Sequence, residues 1–179
     1  NFRSDLLMRS KLEIISMQES DRILSILDCH GAIDTFYHPS FVRILMNYDF
    51  DDAKFLHFRS DDGYIIEPVL IKNIPDNPGI FDLHSPWFYG GPLFCFEDVR
   101  KIKENFEDYK LHFGGYCKKH GIISDFRRFH PVLTSNLMPL IPRNNIFFEK
   151  KIICVDLEKT IDEIYDGYSN KIKKGIRRA

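Results

Sequence analysis

The chain has 179 residues, of which 44% are hydrophobic and 14% aromatic, including sixteen Phe and eight Tyr. These proportions fit one globular domain with an ordinary core, and they exclude a disordered or fibrous chain. Lys and Arg number 25 against 26 Asp and Glu, a net charge of −1, so the bulk charge does not favour a nucleic-acid-binding protein.

Neither a membrane span nor a disulfide framework is indicated. The longest strictly apolar run, at 152–155, is far shorter than the roughly 18 residues that cross a bilayer. The four cysteines include no Cys-x-x-Cys pair, and no secretory signal is recognisable, so we expect reduced thiols in a cytoplasmic protein. Cys117 and His120 have ligand-like spacing, but a zinc site needs a second pair and none is evident.

The first elements alternate between strand and helix. A strand is predicted over 12–17, followed by a helix that Ser20 caps and that continues to Gly31. His-Pro-Ser at 38–40 opens a second helix. The apolar stripe predicted for that helix consists of Phe41, Ile44, Leu45 and Tyr48.

The middle of the chain predicts a hairpin and a long helix. Two β-rich runs, 53–59 and 64–71, are joined by a turn whose Asp-Gly pair readily adopts positive φ. An extended piece begins at 80–83. Apolar residues then recur at three and four positions over 97–119, which predicts a helix that Gly121 ends.

The last elements are a strand over 122–130, a loop, a strand over 147–157 and a helix from 157 to the end. The order of elements predicts an α/β (mixed α+β) fold with a central, mostly antiparallel sheet flanked by helices.

Residues 85–93 form the first informative motif. Gly90 and Gly91 let the backbone approach a neighbour closely, because they lack a Cβ, and the aromatic residues at 87–89 have the character of a groove wall. The alternative is a distorted strand packed under the long helix, with those aromatics in the core.

The second motif is the run Ser-Asp-Phe-Arg-Arg-Phe-His-Pro at 124–131. Strand alternation places Arg127 and Arg128 on opposite faces, and either guanidinium needs a partner if it is buried. That partner is an internal carboxylate, Asp82 or Asp125, or the phosphate or carboxylate of a ligand. His130 is either a proton shuttle or a structural histidine.

A third feature is the absence of acids after Gly167. Five basic residues follow it: Lys171, Lys173, Lys174, Arg177 and Arg178. This run is either a solvated helix face or a contact for a polyanion such as a nucleotide diphosphate or RNA.

Four stretches resemble the FemAB-like family of peptidoglycan interpeptide-bridge aminoacyltransferases, whose members have two lobes of the GNAT acetyltransferase fold. They are 36–41, 85–93, 121–131 and the closing basic helix that ends at 176–179. The family commonly shows Pro-Tyr-Gly-Tyr-Gly-Gly-Pro-Leu in the second stretch and Ile-Arg-Phe-His-Pro-Leu in the third. Here Trp87 and Phe88 replace a Tyr and a Gly, and Arg127 occupies a position that is usually apolar.

The resemblance implies a GNAT-like lobe over 1–146 and the opening strand and helix of a second, truncated lobe over 147–179. It implies the N-terminal portion of an acyl or aminoacyl transferase that acts on an amine of a cell-wall or surface-glycan precursor, inactive as a fragment. The intact enzyme would bind no cofactor tightly and would take its acyl group from aminoacyl-tRNA or acyl-CoA. The second lobe would contact tRNA, and a homo-oligomer is a further expectation.

Carried over by likeness, two groups of residues are candidates for contact with ligands. The substrate-binding candidates are Trp87, Tyr89, Gly90, Gly91, Arg128 and His130, and the anion-binding candidates are Lys174 and Arg177. No catalytic residue is assigned. These expectations require 85–93 and 121–131 to lie side by side along one cleft. The alternative function is a non-catalytic binding or scaffold module derived from such a lobe, and RNA binding through the terminal helix is the third.

Overall fold

The computed structural model describes residues 10–28, 34–147, 151–152 and 155–178. The chain divides into two compact units, Asn1–Arg143 and Asn144–Ala179. The larger unit is mixed α+β, with a mostly antiparallel sheet flanked by helices, which confirms the predicted fold class. Among the described residues, no helix combines the length and the apolar content that crossing a membrane requires.

The sheet of the described residues contains the strands β1 (Lys11–Ser16), β2 (Asp52–Ser60), β3 (Gly63–Asn73), β4 (Phe81–His84), β5 (Leu93–Phe96) and β6 (Ile122–Phe126). Their order is β1-β2-β3-β4-β6, and β5 pairs separately with β3. The β4–β6 pair is parallel and all the other pairs are antiparallel. A parallel pair requires a crossover connection, which the long helix between β5 and β6 provides.

The β2–β3 hairpin is confirmed, with Ser60 opposite Gly63 across a two-residue turn. Gly63 has a φ of +152°, and a Cβ at this position would collide with the backbone carbonyl of Cys95 in β5. Glycine is therefore required both by the turn and by the close approach of the neighbouring strand.

Helices α1 (Ser20–Leu27), α2 (Pro39–Asp49) and α3 (Ile102–Lys119) cover the sheet. Side chains alternate between its two faces, as strand geometry requires. The α1/α2 face buries a cluster that includes Ile15, Phe55, Ile66 and Leu70. The α3 face buries Leu56, Phe58, Ile65 and Leu83 in two further clusters.

The start of α1 differs from its prediction. A 3-10 turn, Met17–Glu19, precedes the helix, and the capping box is formed by Ser16 and Glu19. Ser20 is the first helical residue and its hydroxyl donates to the carbonyl of Met17. The prediction that Ser20 is the cap was wrong because Ser16 already satisfies the free N–H groups. Gly31 lies outside the described residues.

Helix α2 begins as predicted, with the His38 Nδ1 accepting from the backbone N–H of Ser40 at 3.2 Å and Pro39 in the first turn. Its predicted stripe is partly wrong. Val42 and Leu45 are buried, whereas Ile44 and Tyr48 are 64% and 74% exposed. The helix has apolar residues on several sides, so their spacing alone does not select the face that packs on the sheet.

The long helix α3 starts later than predicted, because Asp98 caps a 3-10 turn, Val99–Lys101, before it. It continues unbroken through Gly114 and Gly115, and Gly121, with a φ of +67°, follows its end. Strand β6 also ends before the predicted residue 130. Its ladder ends at Phe126, and one isolated bridge follows.

Along one side of β3, two partner strands leave a gap. The β4 pairing ends at Leu70 opposite His84, and the β5 pairing begins at Ile66 opposite Leu93. Residues 67–69 lie between the two pairings, and residues 85–92 connect the two partner strands past this gap.

In the smaller unit, helix α4 (Ile161–Gly167) and helix α5 (Asn170–Ile176) replace the single predicted helix. Extended backbone at Tyr168 separates them, with φ −76° and ψ 144°. The strand predicted over 147–157 is not found at 147, 151–152 or 155–157, and its other residues lie outside the described ones. No residue of this unit for which the burial is described is buried.

Candidate functional site

Two of the predicted motif stretches meet at the carboxyl ends of the parallel strands β4 and β6. The N–H of Ser85 donates to the carbonyl of Phe126 at 2.9 Å, and the N–H of Gly90 donates to the carbonyl of Arg128 at 2.7 Å. The N–H of His130 returns to the carbonyl of Gly90 at 3.0 Å. This confirms that 85–93 and 121–131 lie side by side. We call the surface formed by residues 85–92 and 126–130 the cleft.

Two glycines, Gly90 and Gly91, allow the two segments of the cleft to pack closely against each other. Gly91 has a φ of +91°, and a Cβ there would lie 2.8 Å from Cδ1 of Phe129. A Cβ on Gly90 would lie 2.8 Å from that of Ser85. Both glycines are buried, so the close approach that they permit is to the protein's own chain. Contact of either glycine with a ligand stays a prediction.

Aromatic side chains form the wall of the cleft. Trp87 is half-buried and meets Tyr48 edge to face, with ring centroids 4.8 Å apart. Tyr89 makes an edge contact of 5.5 Å with Phe36. Phe88 is 60% exposed and has a φ of +75°, an unfavourable backbone conformation for a bulky residue. The sequence analysis missed Tyr48 and Phe36, because nothing in the sequence brings these distant residues to the 85–92 loop.

An open depression of about 410 Å³ adjoins this wall. Tyr48 and Phe50 line it, together with Lys72 and Asp49, whose Nζ and Oδ2 form an ion pair at 2.8 Å. Phe50 also contacts the ring of His84, at the end of β4. The aromatic surface therefore continues from the cleft along the end of α2.

Arg128 is exposed on the α1/α2 side of the sheet. Its guanidinium carbon lies 5.8 Å from the centroid of Phe126, whose ring is 54% exposed. Among the residues that the structure describes, no carboxylate lies within ion-pair distance of it. Only its backbone is fixed, with its N–H donating to Ser85 Oγ at 2.9 Å. A cation on an aromatic face with its donors free is suited to a ligand phosphate or carboxylate.

His130 is held at both ring nitrogens. Its Nδ1 accepts from the N–H groups of Val132 and Leu133, at 3.2 and 3.0 Å. That pattern assigns the ring proton to Nε2, which donates to Asp34 Oδ2 at 3.2 Å. The structural interpretation of His130 is therefore favoured over the proton shuttle. Its ring also packs against Tyr89 in an edge-to-face contact, with the centroids 5.5 Å apart.

Arg127 points to the opposite, α3 face. Its Nη2 lies 3.0 Å from Oε1 of Glu67, and its Nε lies 3.1 Å from Asp125. The Asp125 contact is a hydrogen bond, whereas the Glu67 contact has ion-pair distance without hydrogen-bond alignment. One of the two predicted carboxylates is thus its partner. The other, Asp82, accepts from the hydroxyl of Ser124.

Glu67 was missed by the sequence analysis. It is 1% exposed and also accepts from the buried hydroxyl of Tyr109. Burial raises its pKa to about 7, against the opposing attraction of Arg127. The sequence does contain a signal for it, a single acid between apolar residues of β3. A carboxylate buried at such a position requires a partner.

The anion-binding candidates belong to the smaller unit. Arg177 donates from Nε to the hydroxyl of Tyr165 at 3.1 Å, and Lys174 is exposed. Their contact with an anion stays a prediction. Among the described residues, no group of three or more His, Cys, Asp or Glu is arranged to hold a metal ion. Burial raises the pKa of Cys117 to about 11, which keeps this residue a thiol.

Searches of protein-family models, curated proteins and solved structures find no match to this chain.

Proposed function

We propose that the chain is the N-terminal portion of an acyl or aminoacyl transferase acting on an amine of a cell-wall or surface-glycan precursor. The cleft is part of its acceptor site. The observation that carries the proposal is the backbone pairing of residues 85–92 with 126–130, at the carboxyl ends of parallel strands, where ligands commonly bind.

The chemistry of the cleft suits such an acceptor. The free guanidinium of Arg128 would bind a phosphate or carboxylate, and Trp87, Phe88 and Tyr89 would pack against a sugar or peptide. An acceptor held in this way presents its amine in a fixed direction, which converts a bimolecular attack into an oriented one.

The reaction needs no covalent enzyme intermediate. The amine nitrogen forms a bond to the acyl carbon, the bond from that carbon to the donor oxygen or sulfur breaks, and the proton lost by the amine neutralises the departing alkoxide or thiolate, which leaves as a hydroxyl or thiol. In the described cleft the residues orient the acceptor, since His130 has both nitrogens engaged. By resemblance, the second lobe would supply the donor site for aminoacyl-tRNA or acyl-CoA. These donors and the free Cys95 and Cys117 support a cytoplasmic location.

Binding tests the proposal directly. A nucleotide-linked muramoyl peptide with a free amine is titrated calorimetrically into the wild type, Arg128→Ala and the control Arg100→Ala. Arg100 is 88% exposed and pairs locally with Asp98. We expect the Arg128 variant to lose about 1–3 kcal/mol of binding free energy and the control to lose none. Equal affinities of all three folded proteins would remove the cleft from the acceptor site.

The engagement of His130 also favours a second candidate, a non-catalytic binding module. Turnover separates the two functions. Formation of the amide from acyl-CoA or aminoacyl-tRNA by a protein that includes both lobes supports the transferase. Binding without amide formation, by that protein and by this chain alike, supports the module.

A further inference from the structure

A buried polar triad lies beneath the cleft, on the α3 face of the sheet. It consists of Glu67 on β3, Tyr109 on α3 and Arg127 just after β6. The exposed fractions of the Glu67 and Arg127 side chains are 1% and 12%, and Tyr109 is fully buried. The Tyr109 hydroxyl donates to the Glu67 carboxylate, which lies 3.0 Å from the Arg127 guanidinium. The three side chains therefore connect three separate elements at one point.

Arg127 is fixed on further sides as well. Its guanidinium carbon lies 4.6 Å from the centroid of Phe113, also on α3, and its Nε binds Asp125. A guanidinium is planar, so an aromatic face and two carboxylates define both its position and its orientation. The backbone that carries Arg127 is therefore held against α3.

That backbone continues directly into the cleft. The next residue, Arg128, accepts at its carbonyl from the N–H of Gly90 and donates its N–H to Ser85 Oγ. These two bonds hold the loop at its first residue, Ser85, and near its end, at Gly90. A displacement of Arg127 consequently moves the atoms that hold this loop.

We propose that Glu67 and Tyr109 are positioning residues, which fix Arg127 and thereby keep the 85–92 loop and the Arg128 guanidinium in place for the ligand. The inference relies on the proposed function only for the ligand that uses the cleft. A buried ion pair typically defines a conformation more than it adds stability, because desolvation offsets the attraction.

The arrangement makes the order of the cleft depend on pH. Burial raises the pKa of Glu67 to about 7, Asp125 raises it further and Arg127 lowers it. Among the described residues, the groups that interact with Glu67 are Tyr109 and Cys117 from α3, Arg127 and Asp125 from the β6 segment and, electrostatically, Tyr37 from the 3-10 turn Thr35–Tyr37, whose ring packs in the α1/α2 cluster. As the pH falls through about 7, Glu67 loses its charge, Arg127 keeps only Asp125, and the loop loosens.

Trp87, the single tryptophan of the chain, lies in the loop and reports on it. Its fluorescence is followed from pH 5.5 to 8.5 in the wild type, Glu67→Gln, Tyr109→Phe and the control Tyr116→Phe, with circular dichroism to confirm folding. We expect a wild-type midpoint near pH 7 that is absent in Glu67→Gln. The midpoint should rise by about one unit in Tyr109→Phe, because the carboxylate loses a donor. Tyr116 lies two turns further along α3, and its variant should match the wild type.

A wild-type midpoint retained in Glu67→Gln would assign the transition to another group and overturn the inference. A wild type without any transition would also overturn it. If a variant fails to fold, hydrogen exchange of the wild-type Gly90 amide gives a second test. After correction for the intrinsic rate, its protection should be at least threefold lower at pH 6 than at pH 8, and equal protection contradicts the inference. None of these readouts requires an acceptor, so they remain valid if the proposed function fails.

Discussion

Arg127 and Arg128 are neighbours in the chain, but they lie in opposite environments. On the α3 face, Arg127 is enclosed by Glu67, Asp125 and an aromatic ring. On the α1/α2 face, Arg128 lies exposed over Phe126, without a carboxylate among its described neighbours. The same side chain therefore fixes the backbone on one face and is free to bind a ligand on the other.

The two faces also differ in the titratable group that they bury. Glu67 lies on the α3 face, where it has partners, and His57 lies on the α1/α2 face, where its Nδ1 has none among the described residues. Burial disfavours the charged form of each, so it raises the pKa of Glu67 and lowers that of His57. We therefore expect similar substitutions on the two faces to change the unfolding free energy by unequal amounts, or with opposite dependence on pH.

The largest difference is expected between Arg127→Met and Arg128→Met. The first leaves Glu67 buried without its cation, which typically costs about 3–5 kcal/mol of unfolding free energy. The second alters an exposed side chain and should change stability by less than about 0.5 kcal/mol. Urea unfolding at pH 8, followed by circular dichroism, measures both. The loss for Arg127→Met should shrink at pH 5.5, where Glu67 is protonated. Equal losses for the two variants would contradict the assignment of the faces.

The next effect concerns pH. The folded pKa of Glu67 is about 7 against an ordinary 4.5, so its contribution to stability is present below pH 4.5 and is lost as the pH rises to 7. That contribution is about 3 kcal/mol. Relative to the wild type, Glu67→Gln should therefore gain about this much unfolding free energy between pH 4.5 and 7. A difference that stays constant with pH would show that Glu67 titrates normally.

His57→Phe gives the matched result of opposite sign. The folded pKa of His57 is about 4 against an ordinary 6.5, so its contribution to stability is present above pH 6.5 and is lost as the pH falls to 4. Relative to the wild type, this variant should gain unfolding free energy toward acid pH. The two contributions oppose each other in the wild type between pH 4.5 and 6.5. Slopes of the same sign in both variants would contradict the comparison.

The parts of the fold that could be predicted from the sequence are those set by residues close together in the chain. The hairpin was predictable because its Asp-Gly turn and β-rich strands lie within twenty residues of each other. The opposite placement of Arg127 and Arg128 followed from strand alternation. Which of them is buried did not follow, because that depends on where α3 packs and on Glu67, sixty residues earlier in the chain.

The candidate site shows the same limit. The adjacency of 85–93 and 121–131 came from a resemblance, and the structure confirms it. The engagement of both nitrogens of His130 was not predictable, because Asp34 is separated from it by 96 positions. The single helix predicted from 157 onward was wrong, because its apolar spacing continues across the extended backbone at Tyr168.

A smaller effect is expected from glycine substitutions. Gly91→Ala would force a Cβ onto Phe129 at a φ of +91° and should lose about 1–3 kcal/mol of unfolding free energy. Gly114→Ala lies within α3 with open space around its Cβ, and should gain about 0.5–1 kcal/mol. Thermal and urea unfolding compare the two. A loss in both would show that Gly114 has a packing role that the structure does not reveal.

The smallest effect concerns Phe88, whose exposed ring is combined with a φ of +75°. Glycine tolerates this backbone, so Phe88→Gly removes strain of about 1 kcal/mol while adding a similar entropy to the unfolded chain. Its unfolding free energy should therefore equal that of the wild type within about 0.5 kcal/mol. Phe88→Ala keeps the strained backbone but adds no such entropy to the unfolded chain, so its stability should match that of Phe88→Gly within about 0.5 kcal/mol.

Ligand binding by these two variants tests whether the Phe88 ring contacts the acceptor or whether its backbone conformation only results from closing the loop. If its ring binds the acceptor, both variants should lose affinity for the muramoyl-peptide probe in the calorimetric titration, although neither should differ from the wild type in unfolding free energy by more than about 0.5 kcal/mol. An unchanged affinity in both would limit the binding surface to Arg128 and the rest of the wall. The strain at Phe88 would then follow from closing the loop between β4 and β5, because the chain must turn sharply there to bring Gly90 beside Phe129.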